Sequence, residues 1–325
     1  MPPKIRGMTA NLISPKGSMR RFTLMLSGED ALEGHTNSTS PPMGLPHERF
    51  LLGEQVPLAP VLLLGQSSQA VNPAQMIACL QPVHLHATRD HLILMSQNQI
   101  DLTEDESNQL LKTVLPFIEE DFQSTVLYQG HYAWFIPAGP FTSLASHSID
   151  QAHGRNIDWW MPRDTHDEGV AKRWRKLQNE IQMLWHINPI NEARALHGLP
   201  SVNSLWISGI GKLNDVTSPS ALKESNHLYG SHPILAGLAK LFNIPYSQEL
   251  NISALAGSFA WLDEAEGFWS QVSQALINKE LDELLVIDFP QGLVRERIFT
   301  AKDLHHKSWA FWKKAEALTW KDLIR

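Results

Sequence analysis

The stretch "NPINEARALHGLPSVNSLWISGIGK", residues 188–212, runs from a helix-like segment through Gly198, Leu199 and Pro200 into an apolar run, and closes on Gly209-Ile210-Gly211-Lys212. A strand ending this way either meets an anion with backbone N–H groups and a lysine, or only turns a corner. Both glycine fingerprints fail. An apolar residue occupies the first glycine of a Walker A loop, and Leu213 stands where its Ser or Thr would hold magnesium. Asn214 falls on the third glycine of Gly-x-Gly-x-x-Gly.

Upstream, "VAKRWRKLQNEIQMLWHI" puts Trp174, Leu177, Ile181, Leu184 and Trp185 on one helical face, and Pro189 limits the helix. Lys172, Arg173, Arg175 and Lys176 then form a solvated basic face beside a buried Trp174, with anion recognition as the alternative. Downstream, "HPILAGLAKLFNI" and "GFWSQVSQALINKEL" read as helices and "DELLVIDFP" as a strongly apolar strand. Strands and helices taking turns predict a mainly parallel α/β sheet.

In the first half, "RFTLMLSG" reads as a buried strand and "LEGHTNSTSPPMG" as a loop. "QPVHLHA" and "DHLILM" form a hairpin around Thr88, Arg89 and Asp90. Thr103 and Glu106 make a capping box for a helix with Leu110, Leu111, Val114 and Ile118 inward, and "STVLYQGHYAWFIP" supplies two more strands. The result is a ββαββ unit over about 80–138. At the far end, Leu304, Phe311, Trp312, Ala315, Leu318 and Leu323 have the spacing of a core-docked helix, or of an amphipathic contact with a membrane or partner.

Composition narrows the function. The 325 residues carry 27 Lys and Arg against 34 Asp and Glu, a formal charge of -7, which argues against general nucleic-acid binding. The single cysteine, Cys79, excludes an intrachain disulfide and a cysteine-based zinc cluster, and fits a cytoplasmic protein. "VPLAPVLLLG" is too short to span a bilayer, so no membrane span is expected, and the basic residues 1–18 read as a disordered extension.

Other motifs are weaker. His84 and His86 on one strand face, with His91 across the hairpin, form a candidate imidazole metal site; no carboxylate or cysteine at ligand spacing completes it, and half-exposed strand histidines explain them. His305 and His306 read the same way. No Gly-x-Ser-x-Gly elbow or His-Glu-x-x-His helix occurs, and Cys79 lies in an apolar run as a core residue.

The segments "QPVHLHATRDHLILM", "KLQNEIQMLWHINPINEARALHGLPSVNSLWISGIG" and "AFWKKAEALTWKDLI", in this order, resemble the RpfE-type bacterial regulatory proteins over about residues 56–325. More distantly, the chain is similar to archaeal-type cofactor-independent phosphoglycerate mutases of the alkaline-phosphatase superfamily. Asn191, Arg194, Asn203, Gly209 and Gly211 fall on matching positions, and Ser208 replaces the family arginine. The resemblance implies an alkaline-phosphatase-like core from 19–79 and 139–325, an inserted ββαββ (α+β) domain at 80–138, and residues 191–211 as the return into the core.

Those mutases use a serine and two metals, yet here Ser27-Gly28 replaces the Asp-Gly metal motif, and Asp288 is not followed by Asp-Glu-x-Gly-His. The expectation is a catalytically degenerate regulatory or ligand-binding protein with no catalytic residue, metal or cofactor. Manganese, magnesium or zinc enters only under the competing reading, an active phosphoglycerate mutase; a protein-interaction scaffold is the third. Arg155, Arg163, Arg194, Asn203, Ser208, Gly209, Gly211 and Lys212 are the candidate binding residues for a small phosphorylated or carboxylated ligand. A protein partner is the other candidate.

Overall fold

The computed structural model describes residues 19–30, 42–304 and 319–321. The expected extension at 1–18, most of the loop expected after the first strand and most of the helix expected at the far end lie outside the described residues.

Glu283–Asp288 is buried along its whole length, as a strand covered on both faces must be. It pairs parallel with Arg21–Met25, which pairs parallel with Phe259–Trp261, then Leu228–Tyr229, then Tyr246–Ser247. Arg295–Phe299 adds an antiparallel edge. Side chains alternate across this sheet. Met25, Leu285 and Ile287 meet the helices Leu58–Gln66 and Pro233–Phe242, whereas Leu24, Leu284 and Val286 meet Trp269–Ile277 on the other face. The protein is thus a mixed α/β fold with a mostly parallel central sheet.

A second, antiparallel sheet is organised by the long strand Ile77–Ala87, paired with Leu92–Met95, Trp134–Pro137 and Ser204–Gly211; Tyr128–Gln129 extends it. The hairpin turns where Thr88 Oγ1 donates to the His91 carbonyl at 2.7 Å. Helix Glu104–Phe122 begins on the expected box, with Thr103 N donating to Glu106 Oε2 at 2.8 Å. It packs with helix Val170–His186 around Trp134, Trp174 and Trp185.

The opening stretch ends in this second sheet. Residues 204–211 pair antiparallel with Ile77–Ala87, and their buried side chains complete that sheet. Gly209 has φ +63° and a Cβ there would come within 2.6 Å of Ala59 N; at Gly211 it would meet Pro57 Cβ at 2.5 Å. Both glycines let the strand lie against helix Leu58–Gln66. Among the described residues no helix is long and apolar enough to cross a membrane.

Candidate functional site

The carboxyl ends of parallel strands are where open α/β sheets hold ligands, since the loops diverge there. At this edge the first strand exits through Ser27 and Gly28, Phe259–Trp261 exits through Asp263, and Leu228–Tyr229 leads to His232, which caps helix Pro233–Phe242. His47, from the first turn of helix Pro46–Leu52, faces them.

Ser27 Oγ donates to Asp263 Oδ1 at 2.5 Å and accepts from Trp261 Nε1 at 2.9 Å. The His232 ring stacks on Trp261 at 3.7 Å between centroids, and His47 lies 5.0 Å from the same indole. His47 Nδ1 is 3.1 Å from both the N and the O of Gly28, so the backbone can serve either tautomer. His47 is only 4% exposed, and burial pulls its pKa down to about 4. Burial, reinforced by His47, also brings His232 down to about 4. Both rings are therefore neutral at pH 7.

A second layer comes from residues 148–155. Glu48, 1% exposed, accepts from Leu45 N at 2.7 Å and from Ser148 Oγ at 3.1 Å, and burial lifts its pKa to about 7. Water reaches Asp150, yet protein atoms crowd it; burial raises its pKa, His153 partly offsets this, and Asp263 adds to it. Arg155 pairs with Glu29 at 3.4 Å and lies over the Trp160 ring. His153 Nδ1, Arg155 Nη1 and His232 Nδ1 are buried with no hydrogen-bond partner among the described residues.

This arrangement does not fit the two metals that the mutase resemblance implies. Asp288, the carboxylate at the end of its strand, accepts from Arg295 at 2.8 and 2.5 Å and from Arg297 at 2.8 Å. Ligating a metal would require displacing both guanidinium groups. Asp30 is likewise held by Arg49 at 2.7 Å. Among the described residues no three His, Cys, Asp or Glu side chains gather as a metal ion requires.

The eight sequence-selected residues are not brought together. Arg155 reaches the carboxyl edge through Glu29. Arg163 begins a two-residue strand and donates to the Trp159 carbonyl at 2.7 Å. Arg194 donates to both oxygens of Glu106 and to the carbonyls of Ile100 and Pro200. Asn203 spends its amide on the Leu85 backbone, at 2.7 and 3.1 Å. Ser208 is buried and bonds Gln81, Gly209 and Gly211 pack on the neighbouring helix, and Lys212 follows half-buried at the strand end.

Sequence reasoning did not single out His47, Asp150, His153, His232 or Asp263. They come from four segments with no fixed spacing: position just beyond a core strand could have flagged His232 and Asp263, whereas His47 lies on helix Pro46–Leu52, and Asp150 and His153 lie on and directly after helix Ile149–Ala152.

No family model matches the chain, and no curated protein matches it. Among solved structures it is similar to a cofactor-independent phosphoglycerate mutase from Thermoplasma acidophilum DSM 1728, at 13% identity and a TM-score of 0.35, over 87% of this chain and 90% of that one. It is also similar to the PH0037 protein from Pyrococcus horikoshii, at 10% identity and a TM-score of 0.39, over 83% and 82%. Likenesses this distant transfer no activity.

Proposed function

We propose that this is a non-catalytic regulatory or ligand-binding protein of the RpfE type, with an alkaline-phosphatase-like core that carries residues 80–138 as an insert. The observation that supports this best is the state of the carboxyl edge. Ser27 is closed onto Asp263 and Trp261, and Asp288 is neutralised by two arginines, so the groups that a two-metal phosphoryl transfer needs are already committed elsewhere. The ligand class is a small phosphorylated or carboxylated molecule, because the unpartnered Arg155 Nη1 is a donor suited to such anions. A cytoplasmic location is part of this reading and rests on the sequence's single cysteine, Cys79.

The test has two arms. With 3-phosphoglycerate and magnesium, manganese or zinc, the purified protein shows no mutase or phosphatase turnover; chelator-sensitive turnover would establish the enzyme reading instead. Phosphoglycerate or inorganic phosphate raises the thermal midpoint of the wild type but not of Arg155→Ala. Identical responses in the two proteins would remove Arg155 from the site.

A further inference from the structure

Two residues apart on a strand, His84 and His86 project from the same face of Ile77–Ala87. Their ring centres lie 5.8 Å apart. With metal–nitrogen bonds of about 2.0–2.1 Å, two imidazoles sharing one ion have ring centres within roughly 6.5 Å of each other, so this spacing admits an ion between them. His91, at the turn, does not complete a third imidazole: among the described residues no three His, Cys, Asp or Glu side chains gather.

The rings and the backbone between them are prepared for ligation. Burial lowers the His84 pKa, the Ser201 carbonyl partly offsets this, and His86 and Arg194 reinforce it, so the ring is neutral at pH 7. His84 Nδ1 lies 2.7 Å from that carbonyl, which only accepts, so the proton sits on Nδ1 and Nε2 keeps its lone pair. A metal-ligating histidine ordinarily donates its other N–H to a carbonyl or carboxylate in this manner. Between the two rings, Leu85 is clamped by Asn203, which accepts from its N–H at 2.7 Å and donates to its carbonyl at 3.1 Å. The backbone is thus fixed before any ion arrives, which removes part of the ordering cost of binding. His86 is exposed and open to an incoming ion.

A third donor sets the kind of ion. Met95 stands directly opposite His84 in the antiparallel ladder and on the same face, where facing Cβ atoms are about 4.5–5.5 Å apart. Its thioether is a soft, neutral donor on a flexible stem. Imidazole suits zinc, nickel and copper alike, whereas a thioether selects copper(I). We propose that His84, His86 and Met95 form a copper(I) site on this hairpin. The site is separate from the carboxyl edge of the core sheet, uses no carboxylate and requires no phosphoryl chemistry.

The test titrates the full chain with copper(I), kept reduced by ascorbate, in competition with a coloured copper(I) chelator; zinc is the harder comparison ion. The wild type takes up copper(I), and His86→Ala weakens that uptake at least about tenfold, no less than the 10–100-fold loss typical when a partner behind a ligand is removed. Met95→Leu weakens copper(I) several-fold and leaves zinc unchanged, because only the soft ion uses the thioether. His86 is exposed and Met95→Leu conserves side-chain volume, so both variants keep the fold. The chain has 15 histidines, and the comparison with His86→Ala separates this site from adventitious copper on the others. The proposal is overturned if the wild type takes up no copper(I), if His86→Ala takes it up equally well, or if Met95→Leu treats copper(I) and zinc as the wild type does.

Discussion

Arg194 Nη1 lies 2.8 Å from both carboxylate oxygens of Glu106, which is 88 residues away in the chain. Glu106 also closes the capping box of helix Glu104–Phe122, so one carboxylate fastens a helix start and the opening stretch together. Burial pushes the Glu106 pKa up, but the Thr103 backbone N–H and Arg194 outweigh it and hold the carboxyl below its usual range. Arg194 itself is 1% exposed. Arg194→Ala would leave the partly buried Glu106 and two carbonyls without their partner, and a buried acceptor left unsatisfied costs about 1–3 kcal/mol. Chemical denaturation measures this, and a loss below about 1 kcal/mol would contradict the clamp. If Arg194 were instead a ligand residue, the variant would keep its stability and lose only binding.

Gly209 is a steric requirement of the second sheet. Gly209→Ala puts a Cβ against Ala59 and Leu58 in a left-handed conformation. Overpacking costs about 1–3 kcal/mol and the conformation about 1–2 kcal/mol more. A thermal midpoint unchanged from the wild type would show that the helix Leu58–Gln66 can move aside.

Acid sensitivity follows from the two edge histidines. Unfolded imidazoles take up protons near pH 6.5, while His47 and His232 resist until about pH 4. Between those values the unfolded chain binds more protons, so stability falls as pH drops from about 6.5 to 4. Glu48 acts in the opposite sense. Its folded pKa of about 7 exceeds the ordinary 4.5, so its contribution declines as pH rises from about 4.5 to 7. His232→Phe, which keeps a ring on Trp261, flattens the acid limb of a midpoint-versus-pH curve, and Glu48→Gln flattens the neutral limb. Curves parallel to the wild type would refute both assignments.

Ser27→Asp recreates the Asp-Gly pair of the mutase-like pattern beside Asp263. Two carboxylates at this separation repel, so without metal the midpoint drops by about 2 °C, the scale of a 1 kcal/mol change in a chain of this size. Manganese restores it in proportion to concentration, while leaving the wild type unmoved. A variant insensitive to manganese would mean that Asp263 cannot turn toward a shared ion.

Local signals were legible in the sequence, and distant ones were not. The turn at Thr88, the box at Thr103 and the apolar strand ending at Asp288 each depend on residues a few positions apart, where pattern reports directly on hydrogen bonding and burial. Arg194 and Asn203 looked like available donors because their partners, Glu106 and Leu85, come from a remote segment. The edge cluster was hidden for the same reason: Ser27, His47, Asp150, His232 and Asp263 meet only once five strands have been ordered. Ser204–Gly211 reads as a strand from its own residues, but its sheet is chosen by Ile77–Ala87.

That last pairing also governs how the chain can be made. Ser208 and Gln81 are bonded across 127 positions, so during synthesis Ile77–Ala87 leaves the ribosome well before the strand that covers its second edge. Until residues 204–211 emerge, an apolar strand is open to any neighbouring nascent chain, the circumstance in which edge-to-edge association competes with folding. The early hairpin with Leu92–Met95 shields only the far end of that strand, and Trp134–Pro137 covers one side of the near end. The 188–212 stretch is thus the last piece of this sheet to arrive, and translation speed between residues 87 and 204 sets how long the growing polypeptide stays vulnerable.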